Sequence, residues 1–185
     1  MREASQFPRF SDAEMARRHA KAEAFMDAQG VDALLVFGAG RFASEVYWLT
    51  DWPGSREAYV LFQKGRAPAV IAQLYNHIPM ARVLSVIEDV RWAGANTART
   101  VGEFLVERGL AGGKIGVLGA VPYRPYLQIA ELVGADVLTD VHGAFRMMRT
   151  IRSAEEIERL QLASRLTDES MEAVEQGLKV GMREW

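Results

Sequence analysis

The sequence predicts an α/β fold built in layers around a mixed sheet. Helix-like and strand-like segments alternate along most of the chain, and a tight turn at Lys64-Gly65-Arg66 joins two of the strand-like runs. Alternation is typical of helices packed on a largely parallel sheet, whereas a hairpin joins antiparallel strands. We therefore expect parallel and antiparallel strands in one sheet.

The first helix is predicted to begin after Ser11, because Ser11 and Glu14 have the spacing of a capping box. Apolar residues at helical spacing mark its buried side: Met15, Ala22, Phe25 and Met26. Gly30 is a typical helix stop. The apolar run over 31–37 then predicts a strand buried on both faces.

The hairpin strands are predicted over 57–63 and 68–72 as an antiparallel pair. A helix is expected from Thr97 to Arg108, closed by Gly109. Its inward side chains share helical spacing: Val101, Phe104 and Leu105. This helix begins the regular second half of the chain.

That half continues with a predicted strand from Lys114 to Leu118. A helix follows from Tyr123 to Val133, with Gly134 as its stop. The last short strand is expected from Ala135 to Leu138. These elements complete the predicted α/β domain, which spans residues 1–150.

Residues 151–185 are predicted to behave differently. Ser153 and Glu156 form a second capping box, and the helix that follows is expected to run as far as Gly181. Its apolar stripe follows three- and four-residue steps: Ile157, Leu160, Ser164, Thr167, Met171, Val174 and Leu178. Such a stripe needs a packing partner. The ending at Trp185, directly after the stop, indicates a piece of a longer protein.

Composition excludes several classes of protein. The 185 residues carry a net charge of -2, with 22 Lys and Arg against 24 Asp and Glu. This balance argues against a nucleic-acid partner, which usually meets a basic surface. Since there is no cysteine, thiol chemistry and disulfides are absent. No apolar run is long enough for a signal peptide or a membrane span, so a cytoplasmic location is expected.

A glycine-rich segment, Gly38-Ala-Gly40-Arg-Phe-Ala43, follows the first strand, where a dinucleotide-binding fingerprint would lie. The fingerprint needs an acidic residue at the end of the next strand, which instead ends in Gln63-Lys64. An ordinary βα turn is the simpler interpretation. A self-contained nucleotide-binding module remains an alternative function. A second glycine-containing segment, Gly112-Gly113-Lys114, lacks two features of a phosphate loop.

Catalytic and metal-binding residues are not predicted in this chain. His19 is expected on a solvent-exposed helix face beside Arg18, and His77 in a loop or at a helix start. His142 follows Asp140, whose carboxylate is better explained as a helix cap. No spacing typical of a zinc site or of a nucleophile elbow occurs.

The segment 47–56 combines three aromatic side chains, an arginine and a Pro-Gly turn. Such clusters are enriched where proteins meet partners or ligands. Tyr47 and Trp48 are explained as core residues beside the turn. Trp52 and Arg56 are therefore the candidate functional residues.

Three segments resemble a known family, the pita-bread metallohydrolases creatinase, prolidase and aminopeptidase P. Arg149-Thr-Ile-Arg-Ser-Ala-Glu-Glu-Ile157 is similar to the R-x-I-K-S-x-x-E-I signature that joins their two domains. Tyr47-Trp-Leu-Thr50 resembles their Y-L-T-G segment. Leu178-Lys-Val-Gly181-Met-Arg-Glu184 is similar to the P-G-x-x-E that opens their catalytic domain. Three substitutions depart from these patterns: Arg152 for Lys, Asp51 for Gly and Val180 for Pro.

The resemblance implies a three-layer α/β/α domain with about five or six strands, followed by a linker helix and the start of the catalytic domain. It implies that this chain is non-catalytic and binds no metal or other cofactor itself. The parent enzyme would hold two divalent ions (Mn, Co or Zn) on two Asp, one His and two Glu beyond the matched region. Its substrate would be an X-Pro peptide, creatine or another small amide.

The resemblance also implies that the domain makes homodimer contacts and walls the active site, with the Trp52–Arg56 turn near the substrate. An interaction module that uses helix 153–179 remains a further alternative.

Overall fold

The structure, a computed structural model, describes residues 9–54 and 56–183. Its helices are α1 Asp12–Gln29, α2 Ser44–Thr50, α3 Ile78–Leu84, α4 Thr97–Glu107, α5 Tyr123–Val133, α6 His142–Met148 and α7 Ala154–Gly177. Its strands are β1 Ala33–Gly38, β2 Ala58–Gln63, β3 Ala69–Ala72, β4 Asp89–Trp92, β5 Ile115–Leu118 and β6 Leu138–Asp140. The chain divides into two compact units between Met148 and Arg149.

The first unit contains a mixed sheet which, in the described residues, has six strands in the order β4-β3-β2-β1-β5-β6. Strand β2 runs antiparallel to both of its neighbours, β1 and β3. The remaining pairs, β3 with β4, β1 with β5 and β5 with β6, are parallel. The predicted mixed sheet and its hairpin are confirmed.

Two hydrophobic clusters lie on opposite faces of this sheet. Side chains alternate along β1, so that Leu34 and Val36 join one cluster and Leu35 and Phe37 join the other. The first cluster contains residues of α1, α2, α3 and α6. The second contains residues of α4 and α5. The three-layer α/β/α architecture that the resemblance implies is therefore confirmed.

Helix α5 has the bounds that the sequence predicts, while other elements differ. The final predicted strand lies later, because residues Ala135–Val137 form a 3-10 turn and pairing begins at Leu138. Strand β4 was not anticipated, since its four residues alternate Asp, Val, Arg and Trp without an apolar run. Helix α2 was also missed, because five of its seven residues are buried and no polar side marks it.

Helix α1 corrects the prediction of a solvent-exposed face around His19. Arg18 is 1% exposed, and the His19 ring is half-buried with Nε2 2.8 Å from the Leu49 carbonyl. The cause is α2, which packs against α1 and contributes the Leu49 and Trp48 carbonyls. A run of cations in a sequence does not reveal such a second packing partner.

The second unit is dominated by α7, which ends at Gly177 and not at the predicted Gly181. Glu184 and Trp185 lie outside the described residues. None of the helices in the described residues combines the length and apolarity that crossing a bilayer requires.

Candidate functional site

The parallel strands β1, β5 and β6 end at the same side of the sheet, which we call the carboxyl edge. Strand β2 begins there, because Ala58 pairs with Gly38, the last residue of β1. Ligands of open α/β sheets commonly bind beyond the carboxyl ends of the strands. A ligand site in this unit is therefore expected at the carboxyl edge.

The turn that carries Trp52 and Arg56 leads into β2 at this edge. The Thr50 hydroxyl donates to the Val46 carbonyl at 2.8 Å and accepts from the Trp52 N–H at 3.0 Å. These bonds fix the start of the turn. The Trp52 side chain packs into the core with 4% of its surface exposed, whereas Arg56 is exposed. Trp52 thus anchors the turn to the core, and Arg56 is the member of the pair that is exposed to solvent.

Asp51 explains one departure from the Y-L-T-G pattern. It terminates α2 with φ 57°, in the left-handed region where glycine is favoured and aspartate is tolerated. Its buried carboxylate lies 3.6 Å from Nε of Arg9. The aspartate therefore meets the backbone requirement of this position and adds an ion pair that glycine cannot make.

Two titratable groups stand at the start of β2, on one face of the strand. Burial raises the pKa of Glu57 above its ordinary value. Burial, followed by the nearby Glu57 carboxylate, raises the pKa of Tyr59. The Tyr59 hydroxyl is buried, and no described residue forms a hydrogen bond with it. Both groups thus favour their neutral forms at this end of the strand.

The glycine-rich segment after β1 forms a tight turn. A Cβ on Gly38 would lie 2.8 Å from Cα of Ala43, so this position packs closely against the chain that returns to α2. The next strand, β2, runs antiparallel to β1. A dinucleotide fingerprint belongs to a βαβ unit with parallel strands, and this geometry disfavours the nucleotide-binding alternative.

Asp140, His142 and Gly119 form a hydrogen-bonded cluster at the ends of β5 and β6. The Gly119 N–H donates to Nδ1 of His142 at 3.1 Å. The His142 N–H donates to Oδ1 of Asp140 at 2.9 Å, at the start of α6. Asp140 was predicted to be a helix N-cap; α6 begins at His142, so Val141 holds that position and the Asp140 carboxylate accepts the first N–H of the helix. The sequence did not indicate that Gly119 would join these residues, because a glycine after a strand predicts only a turn.

The resemblance assigns the metal ions to residues beyond the matched region. Among the described residues, no three His, Asp or Glu side chains lie together as a metal site would require.

The residues of the 149–157 signature have a structural role in the second unit. The Glu156 N–H donates to the Ser153 hydroxyl at 3.1 Å, and the Ser153 N–H donates to the Glu156 carboxylate at 2.9 Å. This reciprocal capping box starts α7. The Ser and Glu of the signature thus fix where the helix begins.

Comparisons with known proteins place these features in context. A family model described as the creatinase/prolidase N-terminal domain matches residues 18–151. No curated protein is significantly similar in sequence.

Several solved structures share the fold. The Xaa-Pro dipeptidase from Bacillus anthracis has a TM-score of 0.70 at 19% identity, over 92% of this chain and 45% of that one. The prolidase from Pyrococcus horikoshii OT3 has a TM-score of 0.66 at 23% identity, over 91% of this chain and 45% of that one. The N-terminal domain of the cytoplasmic peptidase PepQ from Mycobacterium tuberculosis H37Rv has a TM-score of 0.59 at 21% identity, over 72% of this chain and 98% of that one. The chain thus spans less than half the length of the first two.

Proposed function

Because this chain belongs to the creatinase/prolidase N-terminal domain family, we propose that it is the non-catalytic N-terminal domain of a metal-dependent Xaa-Pro peptidase or creatinase-like hydrolase. The observation that carries the proposal is the family match over residues 18–151. The lengths of the similar structures support it, since this chain covers 45% of each of two peptidases.

In this proposal the reaction takes place in a catalytic domain that follows the linker helix. The similar structures are named as an Xaa-Pro dipeptidase and a prolidase. A peptide or small amide is accordingly the substrate class proposed for the whole enzyme, with two divalent ions such as Mn, Co or Zn in the catalytic domain. The polarising effect of such ions on the scissile carbonyl is a general feature of metallohydrolases.

The role proposed for this domain is to make homodimer contacts and to form part of the active-site wall. The exposed Arg56, at the carboxyl edge, supports this role. Arginine is enriched among the residues that dominate binding at interfaces, because its guanidinium forms several hydrogen bonds at once. Trp52 contributes by holding the turn in place from the core.

The linker helix α7 is proposed to pack against a further part of the protein. All five apolar side chains of the stripe are about half exposed or more: Ile157 47%, Leu160 54%, Met171 65%, Val174 52% and Leu178 66%, which directly follows the helix. Exposed apolar rows of this kind mark contact surfaces. The same observation supports the alternative of an interaction module, in which a separate partner would cover the stripe.

The proposal includes a cytoplasmic location. It is supported by the similarity to the N-terminal domain of a peptidase that is described as cytoplasmic.

We expect the 185-residue chain to hydrolyse neither X-Pro dipeptides nor creatine, with or without added Mn²⁺, Co²⁺ or Zn²⁺. The reason is that the described residues provide no group of three metal ligands. Release of free proline or sarcosine would be measured, with an active Xaa-Pro dipeptidase as the positive control. Metal-dependent turnover by the pure chain would overturn the proposal. The gene sequence beyond the Trp185 codon gives an independent check, because it should encode the two Asp, one His and two Glu expected to bind the metal ions.

Replacement of Arg56 with alanine is expected to weaken self-association of the chain about tenfold, as is typical for an interfacial arginine. Sedimentation velocity over a range of concentrations would give the dimer dissociation constant. Arg66→Ala is the matched control, since Arg66 is exposed at the hairpin turn. A wild-type chain that stays monomeric, or equal effects of the two variants, would remove Arg56 from the proposed interface.

A further inference from the structure

A cleft of about 420 Å³ opens at the carboxyl edge, between the ends of β5 and β6. Its apolar wall includes Val117, Val121 and Leu138, and its polar side includes Asp140 and His142. Clefts that bind small molecules commonly measure 300–1,000 Å³ and combine apolar walls with a few polar groups. This cleft has both properties.

The hydrogen bond from Gly119 determines what His142 can offer to a ligand. Nδ1 of His142 accepts the Gly119 N–H at 3.1 Å, so this nitrogen carries no proton. In a neutral imidazole the other nitrogen then carries the hydrogen. His142, which lines the cleft, therefore presents Nε2–H as a hydrogen-bond donor.

Asp140 supplies the complementary acceptor. Its Oδ1 accepts the backbone N–H of His142 at 2.9 Å, which holds the carboxylate at the start of α6. A carboxylate has acceptor capacity on both oxygens, so Oδ2 stays available after this bond is made. Both a donor and an acceptor thus belong to side chains that line the cleft, two residues apart in the chain.

We propose that this cleft binds a small ligand through an amide group. The ligand carbonyl accepts from Nε2–H of His142, and the ligand N–H donates to the Asp140 carboxylate. The apolar part of the ligand lies between Val117, Val121 and the ring of Tyr126, which also lines the cleft. An amide matches the lining because it carries both an acceptor for the imidazole N–H and a donor for the carboxylate.

The test is a titration of the ¹⁵N-labelled 185-residue chain with benzamide, followed by heteronuclear NMR. Benzamide has an aromatic ring of suitable size and carries both the carbonyl and the N–H of an amide. We expect saturable shifts centred on the backbone amides of Gly119, Val121 and His142. Acetophenone has nearly the same shape and keeps the carbonyl but lacks the N–H, and it is expected to bind at least fivefold more weakly.

Two conservative variants separate the polar contacts from the shape of the cleft. Asp140→Asn retains an oxygen for the His142 N–H but replaces the free acceptor with a donor. His142→Asn retains an acceptor for the Gly119 N–H but cannot place a donor at the Nε2 position. Each is expected to weaken benzamide binding at least fivefold, whereas Asp136→Asn, outside the cleft, leaves it unchanged.

Shifts that map away from the cleft, or equal binding of benzamide and acetophenone, would overturn the proposal. Benzamide binding that both variants leave unaltered would do the same. The comparison of the two probes uses the wild-type chain, so it decides the matter even if a variant folds poorly.

Discussion

Replacement of Gly119 with alanine is expected to destabilise the first unit by about 4 kcal/mol. Gly119 has φ 86°, a conformation that costs other residues about 1–2 kcal/mol. An added Cβ would also collide with the carbonyl oxygen of Phe37, which belongs to the neighbouring strand β1. Relief of that clash requires β1 and β5 to separate where they are paired, and overpacking of this kind costs about 1–3 kcal/mol.

Urea denaturation of the variant, followed by circular dichroism, would measure this loss. Gly112→Ala is the matched control, because Gly112 has φ 75° and a Cβ there would meet no atom within 4 Å. The control should lose only about 1 kcal/mol, from backbone strain alone. Similar losses for both variants would show that the chain around Phe37 accommodates a Cβ at position 119 without added cost.

Gly119 also illustrates which parts of the structure the sequence could reveal. Its place after a strand marks a turn, but the approach to Phe37 depends on the pairing of β1 with β5, more than 75 residues apart along the chain. Local signals sufficed for α5, whose apolar spacing and terminal Gly134 fix both ends. They also sufficed for the hairpin at Lys64-Gly65-Arg66. The resemblance that residues 149–157 indicate is confirmed by the family match over 18–151.

The candidate site was harder to anticipate, because exposure is set by tertiary packing. Trp52 and Arg56 stand four residues apart in one turn, yet one is buried in the core and the other is exposed. His142 was visible as a residue beside Asp140, but its hydrogen bond to Gly119 depends on the pairing of β5 with β6. Sequence patterns identify such residues but do not predict their burial or their hydrogen-bond partners.

Replacement of Glu14 with leucine is expected to cost about 3–5 kcal/mol, the range found when one partner of a buried ion pair is removed. Oε1 of Glu14 accepts from Nε of Arg18 at 2.8 Å, and the Arg18 side chain is 2% exposed. Arginine does not lose its proton in proteins, so the variant would retain the buried Arg18 charge with the Glu14 contact removed. The same guanidinium also contacts the Trp48 carbonyl at 3.3 Å and the Phe10 ring at 3.7 Å, and neither of these groups carries a negative charge.

The reverse change, Arg18→Met, should cost at most about 2 kcal/mol, because it removes hydrogen bonds to a charged group while Glu14 keeps a cationic partner in Arg17. Glu14 would keep its two bonds from Arg17, at 2.7 and 2.8 Å, and Arg17 is partly exposed. The double variant should therefore be more stable than Glu14→Leu alone, with a coupling energy above about 1 kcal/mol between the two sites. Urea midpoints of the four proteins would complete this cycle. Additive losses would mean that α1 is held by apolar contacts around Met15 and Met26, and that the ion pair beneath Trp48 contributes little.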